Sequence, residues 1–266
     1  MTRGPFTPGE GTDASAFVSP DSDVAPGVRI GPGSLVGPGV SIASEVIIGA
    51  NVVIERDTRI GTGCRIYHGA VVGTDPQDLK YEGEPAILEI GERTVVRECA
   101  TVNRGAATDG GTRIGSDCLL MTGCHVAHDC VLGDHVVMAG LTALGGHVEI
   151  GDWAILGGLA GAHQFTRIGA HAFIGGATKL TKDVPPYLLA DGNPCRTRGI
   201  NVVGLRRRGF DREVIEDLRT AYRLLFKSPD MNIGQALSLM ETQGELGPEV
   251  ASLVSFIRES ERGVHT

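Results

Sequence analysis

Every sixth residue of this chain is aliphatic over most of its length. Counting in sixes gives Val18, Val24, Ile30, Val36, Ile42, Ile48, Ile54, Ile60, Ile66 and Val72. After a gap come Ile90, Val96 and Val102, and then Ile114, Leu120, Val126, Leu132, Met138, Leu144, Ile150, Leu156, Ile168, Ile174 and Leu180. Of 28 such positions only Asp78, Glu84, Thr108 and Ala162 fail. A strict period of six fits neither a helix of about 3.6 residues per turn nor a heptad. It fits a solenoid of very short strands separated by turns, with the aliphatic residue inward and a glycine or asparagine supplying left-handed turn geometry.

Hexapeptide repeats mark parallel β-helices. The unit (I30-G-P-G-S-L, I48-G-A-N-V-V, I60-G-T-G-C-R) resembles the hexapeptide transferases. That resemblance implies a left-handed β-helix with three faces, in which 18 residues make one coil and coils stack at about 4.8 Å. Thr74–Glu89 and Ala107–Thr112 leave the ladder and return in register, which reads as two loops standing off the wall. The first carries Asp75, Gln77, Asp78, Lys80 and Tyr81, and protruding loops on rigid scaffolds often carry binding residues. The polar, Pro-rich residues 1–17 and a C-terminal helical piece are the expected caps.

The ladder ends near Val184-Pro185-Pro186, where two prolines stop regular pairing. Val214–Phe226 has helical apolar spacing with Asp211 placed as an N-cap, and Ile233–Met240 and Val250–Ile257 suggest two more helices. The expected division is a β-helix over residues 1–190 and a small α-helical domain over 191–266.

Composition narrows the partners. A net charge of −8 argues against nucleic acid. No apolar run approaches the roughly 20 residues of a membrane span, and the N-terminus lacks a secretory core, so a cytoplasmic protein is expected. None of the six cysteines forms a C-x-x-C pair. Cys64, Cys118, Cys124 and Cys130 each fall four residues after a ladder position, a slot filled elsewhere by Ser34, Thr58, Ala70, Ala100, Thr142, Ala154 and Ala160. They read as buried small hydrophobes, with no disulfide and no metal.

An 18-residue coil places Gly146 over His128 and Gln164 over Gly146, with His147 and His163 beside them. Three histidines on one edge suit proton transfer or metal binding. H125-V-A-H-D-C, G145-G-H-V, G157-G-L-A-G-A-H-Q-F, D183-V-P-P-Y, G199-I-N-V-V-G-L-R-R-R-G-F and Q77-D-L-K-Y-E-G-E together resemble the UDP-N-acetylglucosamine acyltransferase family of lipid A synthesis. The resemblance covers essentially the whole chain. It implies a homotrimer with sites between subunits and transfer of a 3-hydroxyacyl group from acyl carrier protein to the sugar 3-hydroxyl, with no cofactor.

On that resemblance His128 is the general base, and a histidine at its ordinary pKa suits the role. Asp129 would set its tautomer, although adjacent side chains on a strand point apart. The Gly146 N–H is the expected oxyanion donor. Asp78 and Lys80 would lie near sugar and phosphates, and His125, His147, His163 and Gln164 would contact the substrate or the acyl-pantetheine arm. Asn201, Arg207 and Arg208 would meet the nucleotide. A hydrocarbon groove would run near Phe173 to Gly176. Val203 stands where the family often has glutamate, and Asn103 where some relatives carry histidine. The alternatives are another hexapeptide acyltransferase of the same pathway, a metal-dependent lyase like the gamma-class carbonic anhydrases, and a purely structural solenoid.

Overall fold

A computed structural model describes residues 11–105, 110–242 and 246–266. Among these residues the hexapeptides fold into a left-handed, three-sided parallel β-helix. Its sheets contain nine, eight and ten strands among the described residues. The first face runs from Phe17–Val18 to Lys179–Leu180, and the second from Asp23–Val24 to Arg167–Ile168. The third runs from Arg29–Ile30 to Phe173–Ile174 and continues past residue 190 through Leu188–Asp191 and Arg196–Ile200, which pair antiparallel. Coils stack 18 residues apart: Val18 pairs with Val36, Leu120 with Met138 and Val126 with Leu144.

Most strands are two residues long, the first facing out and the second in. The ladder residues Ile30, Val36, Ile54, Leu120 and Val126 are fully buried. Ala162, which breaks the aliphatic pattern, also points inward and is buried, between Leu144 and Leu180. The small-residue slot is interior as well: Cys64, Cys118, Cys124 and Cys130 are buried free thiols. Cys130 Sγ donates to Gly145 O at 3.2 Å, and burial pushes its thiol up to about 12. These sulfurs stay protonated and pack as small apolar groups.

Each coil turns three edges, and the edge residue adopts positive φ. Glycine takes this position at 33, 39, 63, 69 and 123, but Asp129 (59°), Leu141 (62°), His147 (59°) and Phe165 (64°) take it too. One such residue per edge costs about 1 kcal/mol, and ladder hydrogen bonds on both sides hold it. The left-handed turn therefore does not demand glycine or asparagine here.

The excursions lengthen single coils in whole hexapeptides. Ile60 pairs with Ile90 and Val72 with Val102, 30 residues apart, and Ile90 pairs with Ile114, 24 apart. The first loop occupies 75–87, between strands Val71–Thr74 and Leu88–Ile90. Most of the second, residues 106–109, lies outside the described residues, as do residues 1–10 of the expected N-terminal cap. Arg104, 2% exposed, ties down the base of the first loop by donating to Gly73 O and pairing with Asp75. Asn103 Nδ2 adds bonds to Thr74 Oγ1 and Asp75 O at 2.8 and 2.6 Å.

Four helices follow: α1 (Val202–Arg207), α2 (Arg212–Lys227), α3 (Ile233–Thr242) and α4 (Pro248–Glu259). Asp211 precedes α2 with extended backbone, but its side chain makes no capping bond. The sequence pattern missed α1, which is too short to show periodicity. The helices share a core with the last coil through Tyr187, Leu188, Ile200, Leu205, Leu218 and Leu253. No helix among the described residues is long and apolar enough to cross a membrane.

Candidate active site

The edge between the first and second faces carries Asp129, His147 and Phe165 in one column, with Gly111 above them. His128 lies just before this edge, on the path out of strand His125–Val126. Its Nδ1 lies 2.8 Å from Asp129 Oδ2, and both side chains are nearly buried. The sequence reading placed these neighbours on a strand, where they would diverge. Asp129 instead sits at an edge with φ of 59°, which swings its carboxylate back toward the preceding ring. Its backbone N–H donates to Thr112 Oγ1 at 2.8 Å, which fixes the turn.

With a carboxylate at Nδ1, the neutral ring carries its proton there and leaves Nε2 bare. Nε2 faces Gly146, where an added Cβ would lie 2.6 Å from His128 Nε2 and Cε1. Gly105 makes similar room for Asp129, since a Cβ there would fall 2.5 Å from Oδ1. Glycine is required at both positions by close approach rather than by φ.

His147 meets the His128 ring edge-on at 5.2 Å between centroids and stacks on Phe165 at 4.5 Å. Its Nε2 is 3.8 Å from Asp129 Oδ2. His125 projects from the first face and shares a 2.8 Å hydrogen bond between Nδ1 and Thr101 Oγ1. Burial, and then the nearby His128, lower its pKa, so it stays uncharged near neutrality. His163 and Gln164 are exposed one coil further on, and His163 Nδ1 contacts Arg262 of the C-terminal tail. Asp78 and Lys80 stand in the loop that leaves this same edge, and Asp78 Oδ1 accepts from the Lys80 N–H at 3.0 Å. The ligand atoms of His128, Asp129 and His147 lie within 4.8 Å of one another, so these residues have the makings of a metal site. An ion bound through His128 Nδ1 would replace its hydrogen bond to Asp129.

The remaining expected residues lie elsewhere on the prism. Asn201, Arg207 and Arg208 border a cavity of about 580 Å³ against the third face, lined also by Trp153, Ile155, Phe173 and Leu189. Asn201 Oδ1 caps α1 by accepting from the Gly204 N–H at 3.1 Å, and its Nδ2 donates to His171 O at 2.9 Å. Arg208 Nη2 donates to Trp153 O at 2.8 Å. Only Arg207 of the three is exposed. Val203 lines the same cavity. A column of aromatic side chains, His135, Trp153, His171 and Tyr187, marks this edge, between the second and third faces. Burial, with Arg208 second, pushes His171 down to about 4.

Gly176 lies on the remaining edge, stacked below Gly158 and Gly140. A Cβ at Gly176 would be 3.3 Å from Gly158 O. Bare backbone thus floors a shallow strip beside Leu141 and Leu159, both exposed. Within one chain, then, His128, the Asn201–Arg207–Arg208 group and the glycine strip occupy three different edges. Phe165 on the edge of His147, Thr101 and Thr112 on the strands beside it and Arg262 of the tail were not singled out from sequence. An 18-residue count from His147 does point to Phe165.

Comparison with known proteins bears on this arrangement. Residues 183–265 match the family model described as Udp N-acetylglucosamine O-acyltransferase, Domain 2, and residues 111–140 match the bacterial transferase hexapeptide model. An acyl-[acyl-carrier-protein]–UDP-N-acetylglucosamine O-acyltransferase of Burkholderia lata is 46% identical over 209 residues, 77% of this chain and 80% of its own. The Burkholderia mallei protein of the same name is 44% identical over 205 residues, 75% of this chain and 78% of its own. The UDP-N-acetylglucosamine acyltransferase structure from Bacteroides fragilis superposes with a TM-score of 0.92 at 40% identity, covering 96% of this chain and 99% of that one. The enzyme from Moraxella catarrhalis gives 0.92 at 39% identity over the same shares. From the edge-borne His128–Asp129 pair to the helical tail, this chain belongs to the UDP-N-acetylglucosamine O-acyltransferase family.

Proposed function

We propose that this protein transfers a 3-hydroxyacyl group from acyl carrier protein to the 3-hydroxyl of UDP-N-acetylglucosamine, the first step of lipid A synthesis, in the cytoplasm. The observation that carries the reading is His128, oriented by Asp129 at 2.8 Å and presenting a bare Nε2 over Gly146. A sugar hydroxyl attacks a thioester only as its proton leaves, and Nε2 takes that proton. Asp129 then stabilises the imidazolium, worth about 10²–10⁴-fold together with the base. The negative charge that develops on the thioester oxygen is met by the Gly146 N–H. Among the described residues that N–H donates to no carbonyl. His147, His163, Gln164, Asp78 and Lys80 surround the acceptor sugar, and Asn201, Arg207 and Arg208 take the nucleotide.

These residues meet only if the edge of one copy faces the cavity of another, which supports a homotrimer. The outward residues agree with it. The second face shows charge (Arg59, Glu89, Arg113, Glu149 and Arg167), laced by ion pairs such as Arg59–Glu89 at 2.6 Å. The third face instead shows Val95, Leu119, Val137, Ile155 and Phe173, and the first Leu35, Val53 and Val71. Two apolar faces flanking an apolar edge suit a closed ring of heterologous contacts.

The test is to incubate the purified protein with UDP-N-acetylglucosamine and 3-hydroxyacyl carrier proteins of several lengths, with His128→Ala alongside, and to detect product by mass. Acylated nucleotide sugar from the wild type alone is expected. No product at any length from folded protein overturns the substrate pair, and the 3-amino sugar and a metal titration come next.

A further inference from the structure

His163 Nδ1 has two neighbours that make opposite demands on it. Gln164 O lies 3.0 Å away and can only accept, so it asks for a proton on Nδ1. Arg262 Nη2 lies 3.3 Å away and can only donate, so it asks for a lone pair there. One neutral nitrogen cannot satisfy both.

The arginine has the stronger claim. Its guanidinium is permanently charged, and a charge-assisted hydrogen bond is roughly twice as strong as a neutral one. The Gln164 carbonyl sits on an exposed residue, where water can replace the ring. Arg262 is also held in place. Its Nε is buried without a partner among the described residues, which is an unfavourable position for a side chain with no task. The segment around it is pinned at both ends to Asp183 of the last coil. Ser260 Oγ donates to Asp183 Oδ2 at 2.7 Å, the His265 N–H donates to Asp183 O at 3.0 Å, and Val264 bridges to Asp183. The His265 ring accepts from the Thr181 and Lys182 N–H groups at 3.2 Å. Arg262 borders one cavity of about 650 Å³ with His147 and Phe165, so the tail closes on the column that carries His147.

We propose that Arg262 is a positioning residue that places the His163 proton on Nε2, making His163 a hydrogen-bond donor to an oxygen of the bound substrate. This deepens the transferase reading and rests on it for the substrate half. The site then holds two histidines in opposite tautomers. A carboxylate at Nδ1 leaves His128 Nε2 bare to take a proton, and a guanidinium at Nδ1 gives His163 an Nε2–H to offer.

The test uses the full chain with ¹⁵N-labelled histidine at about pH 8, where an ordinary imidazole is neutral. A His163→Gln variant identifies the resonances. The wild type is expected to show His163 protonated at Nε2, and Arg262→Ala to move the proton toward Nδ1. In steady-state assays Arg262→Ala should raise KM about tenfold with kcat nearly unchanged, the loss of one substrate hydrogen bond. Arg262→Lys, which keeps a charged donor, should recover much of both. A wild-type His163 protonated at Nδ1, or an Arg262→Ala spectrum like wild type, overturns the proposal. A changed spectrum with unchanged KM overturns its substrate half. A wild type without transferase activity overturns the functional reading alone, because the spectra still decide the tautomer.

Discussion

His128 and Asp129 are consecutive residues whose side chains hydrogen-bond at 2.8 Å because the second occupies a left-handed edge rather than a strand. Asp129→Asn keeps the shape, but its amide can donate to Nδ1 and so favours a proton on Nε2, the atom that the proposed mechanism needs bare. The expected loss in kcat is about 10²-fold or more, with thermal stability little changed. Steady-state kinetics beside circular dichroism melts measure it. A kcat within threefold of wild type would remove Asp129 from the mechanism.

Gly146→Ala puts a methyl 2.6 Å from His128 Nε2 and Cε1, so the ring must turn away. Overpacking of this kind costs about 1–3 kcal/mol, and kcat is expected to fall at least tenfold. Gly161→Ala, whose Cβ would meet nothing closer than 3.9 Å, is the control and should keep most of the activity.

Neutral His171 ties stability to pH. Its pKa falls to about 4 from an ordinary 6.5. The unfolded chain therefore takes up a proton as pH drops through 6.5, while the folded chain does not until about 4. The stabilisation is whole above pH 6.5 and is lost progressively down to pH 4. For a half-buried ring, allowing for solvent screening, the loss is about 2 kcal/mol. Urea unfolding at the two ends of this window should show a smaller difference for His171→Phe than for wild type.

The split of site residues over separate edges predicts complementation. His128→Ala and Arg207→Ala proteins, each too weak to turn over at low substrate, should regain activity when co-expressed, because some junctions then pair an intact base with an intact arginine. Light scattering should give three times the 27.9 kDa chain mass. A monomer, or no recovery in mixed assemblies, would refute the shared site.

Arg104 tests the loop. It is buried and spans Gly73 O and Asp75, so Arg104→Leu should release residues 75–87. KM for the nucleotide sugar should then rise more than KM for the acyl donor, by about tenfold, through misplaced Asp78 and Lys80. Equal changes in both would mean that the loop does not address the sugar.

The wall was legible because inward residues repeat every six positions, so that a count from His128 reaches Gly146 and Gln164. The orientation of Asp129 was not, since a residue's φ at an edge depends on ladder bonds from coils 18 residues away. Asn201 was recognisable only as a family residue. Its capping of α1 was hidden because a six-residue helix carries no periodic signal. Arg262 was hidden for a related reason: its contact with His163 spans 99 residues and follows no repeat.

The two interrupted coils add twelve and six residues, so each loop in this wall hands the chain back to the ladder after whole hexapeptides. The coils after each loop are held by their own ladder bonds, such as Leu132 with Ile150 and Ile150 with Ile168, so the wall resumes wherever the next aliphatic residue turns inward. An edge can therefore receive a new segment as a cassette, while the coils above and below keep their stacking. Loops on such a scaffold can change length, and with it reach, without disturbing the site one coil away.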